Sequence, residues 1–320
     1  MLVLTEADIA RALTPTLTIA AVESALLALH AGTAHVPERQ HIHWDANTLL
    51  TMPSFSASAM GIKLVSVVPG NAARGLPVTN GLMVLNDCAT GLPVALLNAA
   101  ALTARRTGAV GAVAAKHLST SDTPSLGIVG CGVQGAWQAI SVCAVRPIRE
   151  IFFTGGSPES RARFAATVRQ NVPHVALTAC IDARELLGRT DLVIAATTSA
   201  TPVLPAEPAL LRGKQFFSVG SYRPDMQELP DAVYRAAGCI VMDSAGARHE
   251  VGDILNPIAR GFVTEQSVFP LADLVAGLRP APAPSAAVFK STGMALFDLF
   301  AAQSCFEEAQ RLGLGREVTL

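Results

Sequence analysis

The chain has 320 residues, of which half are hydrophobic, 15% charged and 5% aromatic, with a formal net charge of -1. That length predicts two domains, and that composition predicts compact Ala-, Val- and Leu-filled domains rather than a disordered or fibrous chain. The near-zero net charge leaves no global field to draw the protein onto nucleic acid or an anionic membrane, so neither is expected as a partner.

The opening residues lack a basic region followed by a long apolar core, so no signal peptide is expected. Residues 96–118 are alanine-rich but cut by Arg105, Arg106 and Lys116, so no bilayer span is expected either. The expected location is cytoplasmic. Six cysteines fall in no CxxC pair and no zinc-ligand spacing, and they read as free thiols of a reducing compartment.

In chain order, Thr5-Glu-Ala-Asp reads as a capped helix start. Ile9, Leu13, Ile19, Val22 and Leu26 then recur at helical spacing. Residues 49–52 and 61–68 are strand-like and rich in branched side chains, Pro69-Gly-Asn is a turn, and residues 81–87 and 93–97 are further strands. A helix is predicted over residues 103–118, with a small-residue face of Ala104, Gly108, Gly111, Ala112 and Ala115. Thr120-Ser-Asp-Thr-Pro is a polar linker. After it, short apolar strands alternate with helical stretches, the pattern of a parallel doubly wound sheet. Residues 280–284 form a stiff proline-rich loop, and residues 293–312 a long final helix.

The sharpest motif is Gly130-Cys-Gly132-Val133-Gln134-Gly135, between the apolar run 126–129 and a helical stretch. In that setting the glycines permit a tight turn and close backbone approach to a pyrophosphate, while the helix N-terminus offers free N–H groups. Dinucleotide folds selective for NAD place an acid at the end of the second strand. Here Ile151-Phe-Phe is followed by Thr154-Gly-Gly-Ser157, with Ser160 and Arg161 close by. NADPH is therefore the favoured cofactor, with Ser157 and Arg161 as candidate contacts and NADH the alternative. Thr197, just past the strand at 192–196, and Gly293 are further candidate cofactor contacts.

Lys63 interrupts an apolar strand, facing solvent, a pocket or a buried anion. Arg39 follows Val36-Pro-Glu. Arg105 and Arg106 fall in the first turn of the predicted helix, where cations oppose the dipole unless an anion lies nearby. Together these cations point to a carboxylate clamp. His41 and His43 share one face of a strand but lack a third ligand, and no metal is assigned.

These elements resemble the ornithine cyclodeaminase/mu-crystallin family. The resemblance runs from Val36-Pro-Glu-Arg through Met52-Pro, Gly61-Ile-Lys-Leu-Val, Pro69-Gly-Asn and Leu102-Thr-Ala-Arg-Arg-Thr-Gly-Ala to Val288-Phe-Lys-Ser-Thr-Gly. It implies an α/β fold with a Rossmann doubly wound domain, residues 120–293, and a discontinuous α+β substrate/dimerisation domain, residues 1–119 and 294–320. It also implies a homodimer, substrate-carboxylate contacts from Arg39, Lys63 and Arg106, and dinucleotide contacts from Thr107 and the glycine loop. Cyclodeaminases of the family carry an aspartate after the fifth Rossmann strand; Tyr222 stands there in this chain, with Asp225 three residues on. A phenol titrating near 10 is a poor substitute for a carboxylate base. The expected activity is therefore NADPH-dependent reduction of a cyclic ketimine, Δ1-pyrroline-2-carboxylate or Δ1-piperideine-2-carboxylate, to L-proline or L-pipecolate. Lys63 and Asp225 are the candidate catalytic residues. The alternatives are ornithine cyclodeamination, an alanine-type dehydrogenase, and a binding protein without turnover.

Overall fold

The first helix start is built as its residues dictate. In the computed structural model, which describes residues 1–319, Thr5 and Asp8 form a reciprocal capping box that opens α1 (Glu6–Ala12). The helical spacing does not continue as one rod. Thr14 caps a second helix, α2 (Pro15–His30), with Pro15 in its first turn, and the two axes differ by 84°. Proline has no N–H to extend α1 but is well suited to begin α2.

The chain divides into two compact units. Unit 1 comprises Met1–Arg106 and the segment from Met294 onward. Its sheet contains β1 (Leu2–Leu4), β2 (Gln40–Trp44), β3 (Asn47–Phe55), β4 (Ala59–Val67), β5 (Thr79–Asp87) and β6 (Pro93–Asn98). The order is β1-β6-β5-β4-β3-β2, with the short strand Arg316–Glu317 outside β1. β2 to β6 form an antiparallel meander, and β1 joins β6 in parallel. The C-terminal helix Ala295–Leu312 packs on β3, β4 and β5 and against α1 and α2.

Unit 2 comprises Thr107–Gly293. Its eight strands are β7 (Ser125–Val129), β8 (Glu150–Thr154), β9 (Ala176–Ala179), β10 (Leu192–Ala195), β11 (Gln215–Ser218), β12 (Cys239–Met242), β13 (Val268–Pro270) and β14 (Ala287–Lys290). All pairings are parallel, in the order β13-β12-β14-β11-β10-β7-β8-β9. This is the doubly wound sheet that the alternation of strands and helices requires.

The first division between units falls at Arg106/Thr107, inside α3 (Ala99–Leu118), and not at the polar linker that follows this helix. The small-residue face explains the difference. A Cβ on Gly108 would fall inside the radius of the Trp137 carbonyl oxygen, and Gln138 Nε2 donates to the Thr107 carbonyl at 2.9 Å. The later part of α3 is thereby bound to α4 (Val133–Cys143), the helix that follows the glycine loop. Arg146 closes the far end of α3, its Nη2 donating to the carbonyls of Ala115, Lys116 and Ser119.

Among the described residues no single helix is long and apolar enough to cross a membrane. Cys131, Cys180 and Cys305 are buried, Cys143 and Cys239 half-buried, and Cys88 is exposed, all with free thiols.

Candidate active site

Unit 1 gathers its cations around an acid. Lys63 sits mid-strand in β4, paired with Met52 on β3 and Met83 on β5, and its side chain is buried rather than solvated. Its Nζ donates to Asp298 Oδ2 at 2.7 Å and to Thr103 Oγ1 at 3.4 Å. Arg106 Nε donates to the other oxygen, Asp298 Oδ1, at 3.0 Å, and Thr103 Oγ1 reaches the same oxygen at 3.4 Å. Thr103 and Arg106 are three residues apart on α3 and so share a helix face. Asp298 lies in the first turn of the C-terminal helix, where a negative charge complements the dipole.

Arg106 is not in the first turn of its helix. α3 begins four residues earlier than its apolar pattern predicts, at Ala99, where Asn98 Oδ1 accepts from the Ala101 N–H. The dipole argument therefore does not apply, and Asp298 is the anion that balances Arg106. Of the adjacent arginines only Arg106 joins the cluster; Arg105 Nη1 donates back to the Ala101 carbonyl.

The electrostatics follow from the burial. Burial pushes the Lys63 ammonium down to about 8; Asp298 opposes this, and the Arg106 and Arg39 charges add to it. Burial alone would raise the Asp298 carboxyl, but Arg106 and Lys63 together hold it below the ordinary carboxylate value. Arg39 is half-buried just ahead of β2. Lys63 and Arg106, two buried cations on the one carboxylate of Asp298, leave this cluster with an excess of positive charge.

In unit 2, β7 runs into Gly130, whose N–H donates to the Thr154 carbonyl at the end of β8. Gly130 has φ +111°, and a Cβ there would collide with the Ala196 carbonyl, so only glycine fits. Gly132 is the N-cap of α4 and gives no side-chain cap, so the first N–H groups of α4 are left for a ligand; a Cβ at Gly132 would meet nothing within 4 Å. Val133 is exposed in the first turn of α4. Gln134 places a buried Oε1 that has no hydrogen-bond partner among the described residues, and Gly135 is buried against the loop. This arrangement fits a pyrophosphate, with no acid in the first turn of α4 to repel it.

Beyond β8, Gly155 and Gly156 take positive φ and Ser157 caps α5 (Pro158–Asn171), accepting from the Ser160 N–H at 3.3 Å. Arg161 Nη1 lies 3.5 Å from the Gly156 carbonyl. Glu159, in the same turn, hydrogen-bonds Ser157, which lowers its carboxyl pKa. The strand end is free of acids, but the helix that follows is not. Thr197 directs its N–H and hydroxyl to Glu228, and the Gly293 N–H donates to Asp243 Oδ2 at 2.8 Å.

Tyr222 is 61% exposed. Asp225 is exposed as well and is engaged by Arg223, whose Nε and Nη2 donate to its two oxygens at 2.9 and 3.1 Å. That pairing lowers its pKa and occupies the carboxylate. His41 and His43 lie on one face of β2 with ring centroids 6.2 Å apart, both exposed, and His43 Nδ1 is bonded to Thr48 Oγ1.

Asp298 and Thr103 are the members of the cluster that sequence reasoning does not identify. The available signal is a lone acid inside the apolar run Met294-Ala-Leu-Phe-Asp298-Leu-Phe, where an uncompensated charge would be costly.

Residues 1–312 match the model of the ornithine cyclodeaminase/mu-crystallin family. The chain belongs to this family. A Delta(1)-pyrroline-2-carboxylate reductase of Bacillus cereus is 33% identical over 310 residues, covering 93% of this chain and 94% of that protein. Among solved structures, Thermococcus litoralis Delta(1)-pyrroline-2-carboxylate reductase in complex with NADH and L-proline superposes with a TM-score of 0.91. It is 33% identical, with 99% of this chain and 100% of that one covered. An archaeal alanine dehydrogenase dimer with bound NAD gives a TM-score of 0.90 at 27% identity, covering 100% and 99%. The unit 2 sheet with its glycine loop is thus the dinucleotide-binding fold of an oxidoreductase family.

Proposed function

We propose that this family member is an NAD(P)H-dependent ketimine reductase. It converts Δ1-pyrroline-2-carboxylate, or the one-methylene-larger Δ1-piperideine-2-carboxylate, into L-proline or L-pipecolate. The observation that carries this reading is the buried Lys63–Asp298–Arg106 cluster, whose excess positive charge suits a small carboxylate ligand. The substrates of the Bacillus and Thermococcus relatives support the choice of a cyclic imine.

Arg106 and Arg39 bind the substrate carboxylate, and Asp298 keeps Arg106 and Lys63 in register. Lys63 Nζ, an ammonium held close to neutrality, supplies the proton that the imine nitrogen retains in the product amine. The reduced dinucleotide, bound at residues 130–135, supplies the hydride. The proton role rests with Lys63 because Asp225 is tied to Arg223 at the surface. A cyclodeaminase reading would need a carboxylate base where this chain has an exposed tyrosine.

NADPH is the preferred cofactor in this reading, with Ser157 and Arg161 receiving the 2′-phosphate beyond a strand end that lacks an acid. Glu159 tempers that preference, and NADH is accepted. The working unit is a homodimer, in keeping with the archaeal relative. The exposed apolar side chains Ile42, Trp44, Leu49 and Leu82 on β2, β3 and β5 supply a face for it.

The test is loss of reduced-nicotinamide absorbance on adding freshly generated Δ1-pyrroline-2-carboxylate, with NADPH and with NADH. Turnover with either supports the reading. Ammonia release from L-ornithine without imine reduction, or NADH-linked amination of pyruvate in its place, would replace it.

A further inference from the structure

Unit 2 buries Glu228, Asp253 and Lys290 completely, and they are no part of the Lys63–Asp298–Arg106 cluster of unit 1 to which the proposed reduction is assigned. Charges withdrawn from water need partners, and here they have many. Glu228 Oε1 accepts from the Thr197 N–H at 2.7 Å and the Thr197 hydroxyl at 2.9 Å. Its Oε2 accepts from Ser218 Oγ at 2.9 Å, the Gly220 N–H at 2.6 Å and the Ser221 N–H at 3.2 Å. Thr197 follows the end of β10 and Gly220 the end of β11. One carboxylate therefore joins the loops leaving two adjacent parallel strands.

The support beneath Glu228 is equally complete. Asp253 accepts from the Glu228 and Leu229 N–H groups and from the hydroxyls of Ser221 and Tyr234, and its Oδ2 lies 3.0 Å from Ser218 Oγ, whose single proton Glu228 and Asp253 share as alternatives. Lys290 Nζ donates to Ser218 Oγ, Ser221 Oγ and the Ser221 carbonyl at 3.0, 2.7 and 2.8 Å. The joined loops press on each other and on the glycine loop. A Cβ on Gly220 would collide with the backbone of Thr197, and one on Gly130 with the carbonyl of Ala196. Glycine loop, 196–197 turn and 219–221 turn are thus stacked backbone to backbone.

In an open parallel sheet a dinucleotide lies across the carboxyl ends of the strands, with its adenosine ribose beside the end of the second strand. That strand is β8, on one side of β7, while β10 and β11 lie on the other. The nicotinamide half therefore belongs over the loops that Glu228 joins. We propose that Glu228 is a positioning residue for the nicotinamide half of the dinucleotide, setting the ledge formed by residues 196–197 and 219–221 without touching the cofactor. The proposal rests on dinucleotide binding at the glycine loop and not on the identity of the imine.

The experiment is calorimetric titration of the full chain with NADH and, separately, with ADP-ribose, which lacks the nicotinamide. Glu228→Gln keeps the shape but turns an NH2 group toward N–H and O–H donors. The expected result is a Kd for NADH raised about tenfold, the order of one charge-assisted hydrogen bond, with ADP-ribose binding within about twofold of wild type. Ser218→Ala removes the hydroxyl donor to Glu228, together with its contacts to Asp253 and Lys290, and provides the same comparison should Glu228→Gln fail to fold; its expected effect is about threefold, again on NADH alone. Equal weakening of both ligands would make Glu228 a general scaffold residue and overturn the proposal. So would unchanged binding of both, or a wild-type chain that binds no NADH. A wild-type chain that binds NADH without reducing the imine would overturn the reductase reading only.

Discussion

Lys63 Nζ stands 2.7 Å from Asp298 Oδ2, with both side chains withdrawn from solvent, although the two residues are 235 positions apart in the chain. Breaking a buried ion pair by removing one partner costs about 3–5 kcal/mol, because the surviving charge is left uncompensated. Asp298→Asn leaves two such charges, Lys63 and Arg106. Its unfolding free energy in urea is expected to fall by about that amount. Loss of alignment at the clamp is expected to lower kcat/KM for the imine on the order of a hundredfold. NADH affinity is expected to stay at the wild-type value, since the glycine loop proposed to hold the dinucleotide lies in unit 2. A variant with normal kcat/KM would remove Asp298 from the functional cluster.

The same pair sets a pH dependence whose sign differs for stability and activity. Burial and the neighbouring arginines hold Lys63 down at about 8 against an ordinary value of 10.5. Between these values the unfolded chain binds more protons than the folded one, so the Lys63 contribution makes stability rise with pH across that window. Activity runs the other way. In the proposed mechanism the Lys63 ammonium attracts the carboxylate and supplies the proton; it is lost as pH passes about 8, so kcat/KM for the imine is expected to decline above it. Lys63→Arg, which stays charged throughout, is expected to abolish that decline while lowering the plateau. A wild-type profile flat from pH 7 to about 10 would show that Lys63 does not titrate in the free enzyme.

The dinucleotide half of this picture is legible in the sequence because its parts are contiguous: a strand, three glycines and a helix within a few residues of one another. The cationic half is legible only in outline. Lys63 in an apolar strand signals a pocket or a buried anion, but spacing cannot pair it with an acid on the last helix. Arg106 misleads for a different reason. Asn98, whose side chain accepts from the Ala101 N–H at the start of α3, is the one polar residue in the otherwise apolar stretch 93–101 and does not by spacing alone mark a helix start, so α3 reads four residues late and Arg106 seems to oppose a dipole that it does not face. Pro15 marks a break in the first helical stretch that apolar periodicity alone carries straight through.

In the proposed reading, cofactor preference turns on two side chains in one helical turn. On that reading Arg161 would offer a guanidinium to a 2′-phosphate, and Glu159 a carboxylate that suits a ribose hydroxyl and repels the phosphate. A charge-assisted hydrogen bond contributes about 1.5–3 kcal/mol, so Arg161→Ala is expected to lower kcat/KM for NADPH about tenfold or more. The value for NADH stays within about twofold. Glu159→Gln is expected to shift the NADPH/NADH ratio in the opposite direction. Parallel kinetics with the two cofactors check both, and equal losses with Arg161→Ala would move the 2′-phosphate site elsewhere.

The small-residue face of α3 makes the last test. Alanine is favoured over glycine inside a helix by about 1 kcal/mol, so Gly111→Ala on an open face would stabilise the protein. Here the added Cβ would overlap Gln138 Oε1 and lie 2.9 Å from its Cδ, in a site where Gln138 is fully buried. The glutamine must swing away and release the Thr107 carbonyl. Overpacking at roughly 1–3 kcal/mol plus a lost buried hydrogen bond at roughly 0.5–1.5 outweighs the gain in helix propensity. Gly111→Ala is therefore expected to destabilise by about 1–3 kcal/mol in urea unfolding. Gln138→Ala removes the obstacle, so the double variant is expected to lose clearly less than the sum of the two single losses. Additive losses would mean that the two side chains do not share the space, and a stabilised Gly111→Ala would mean that Gln138 yields at little cost.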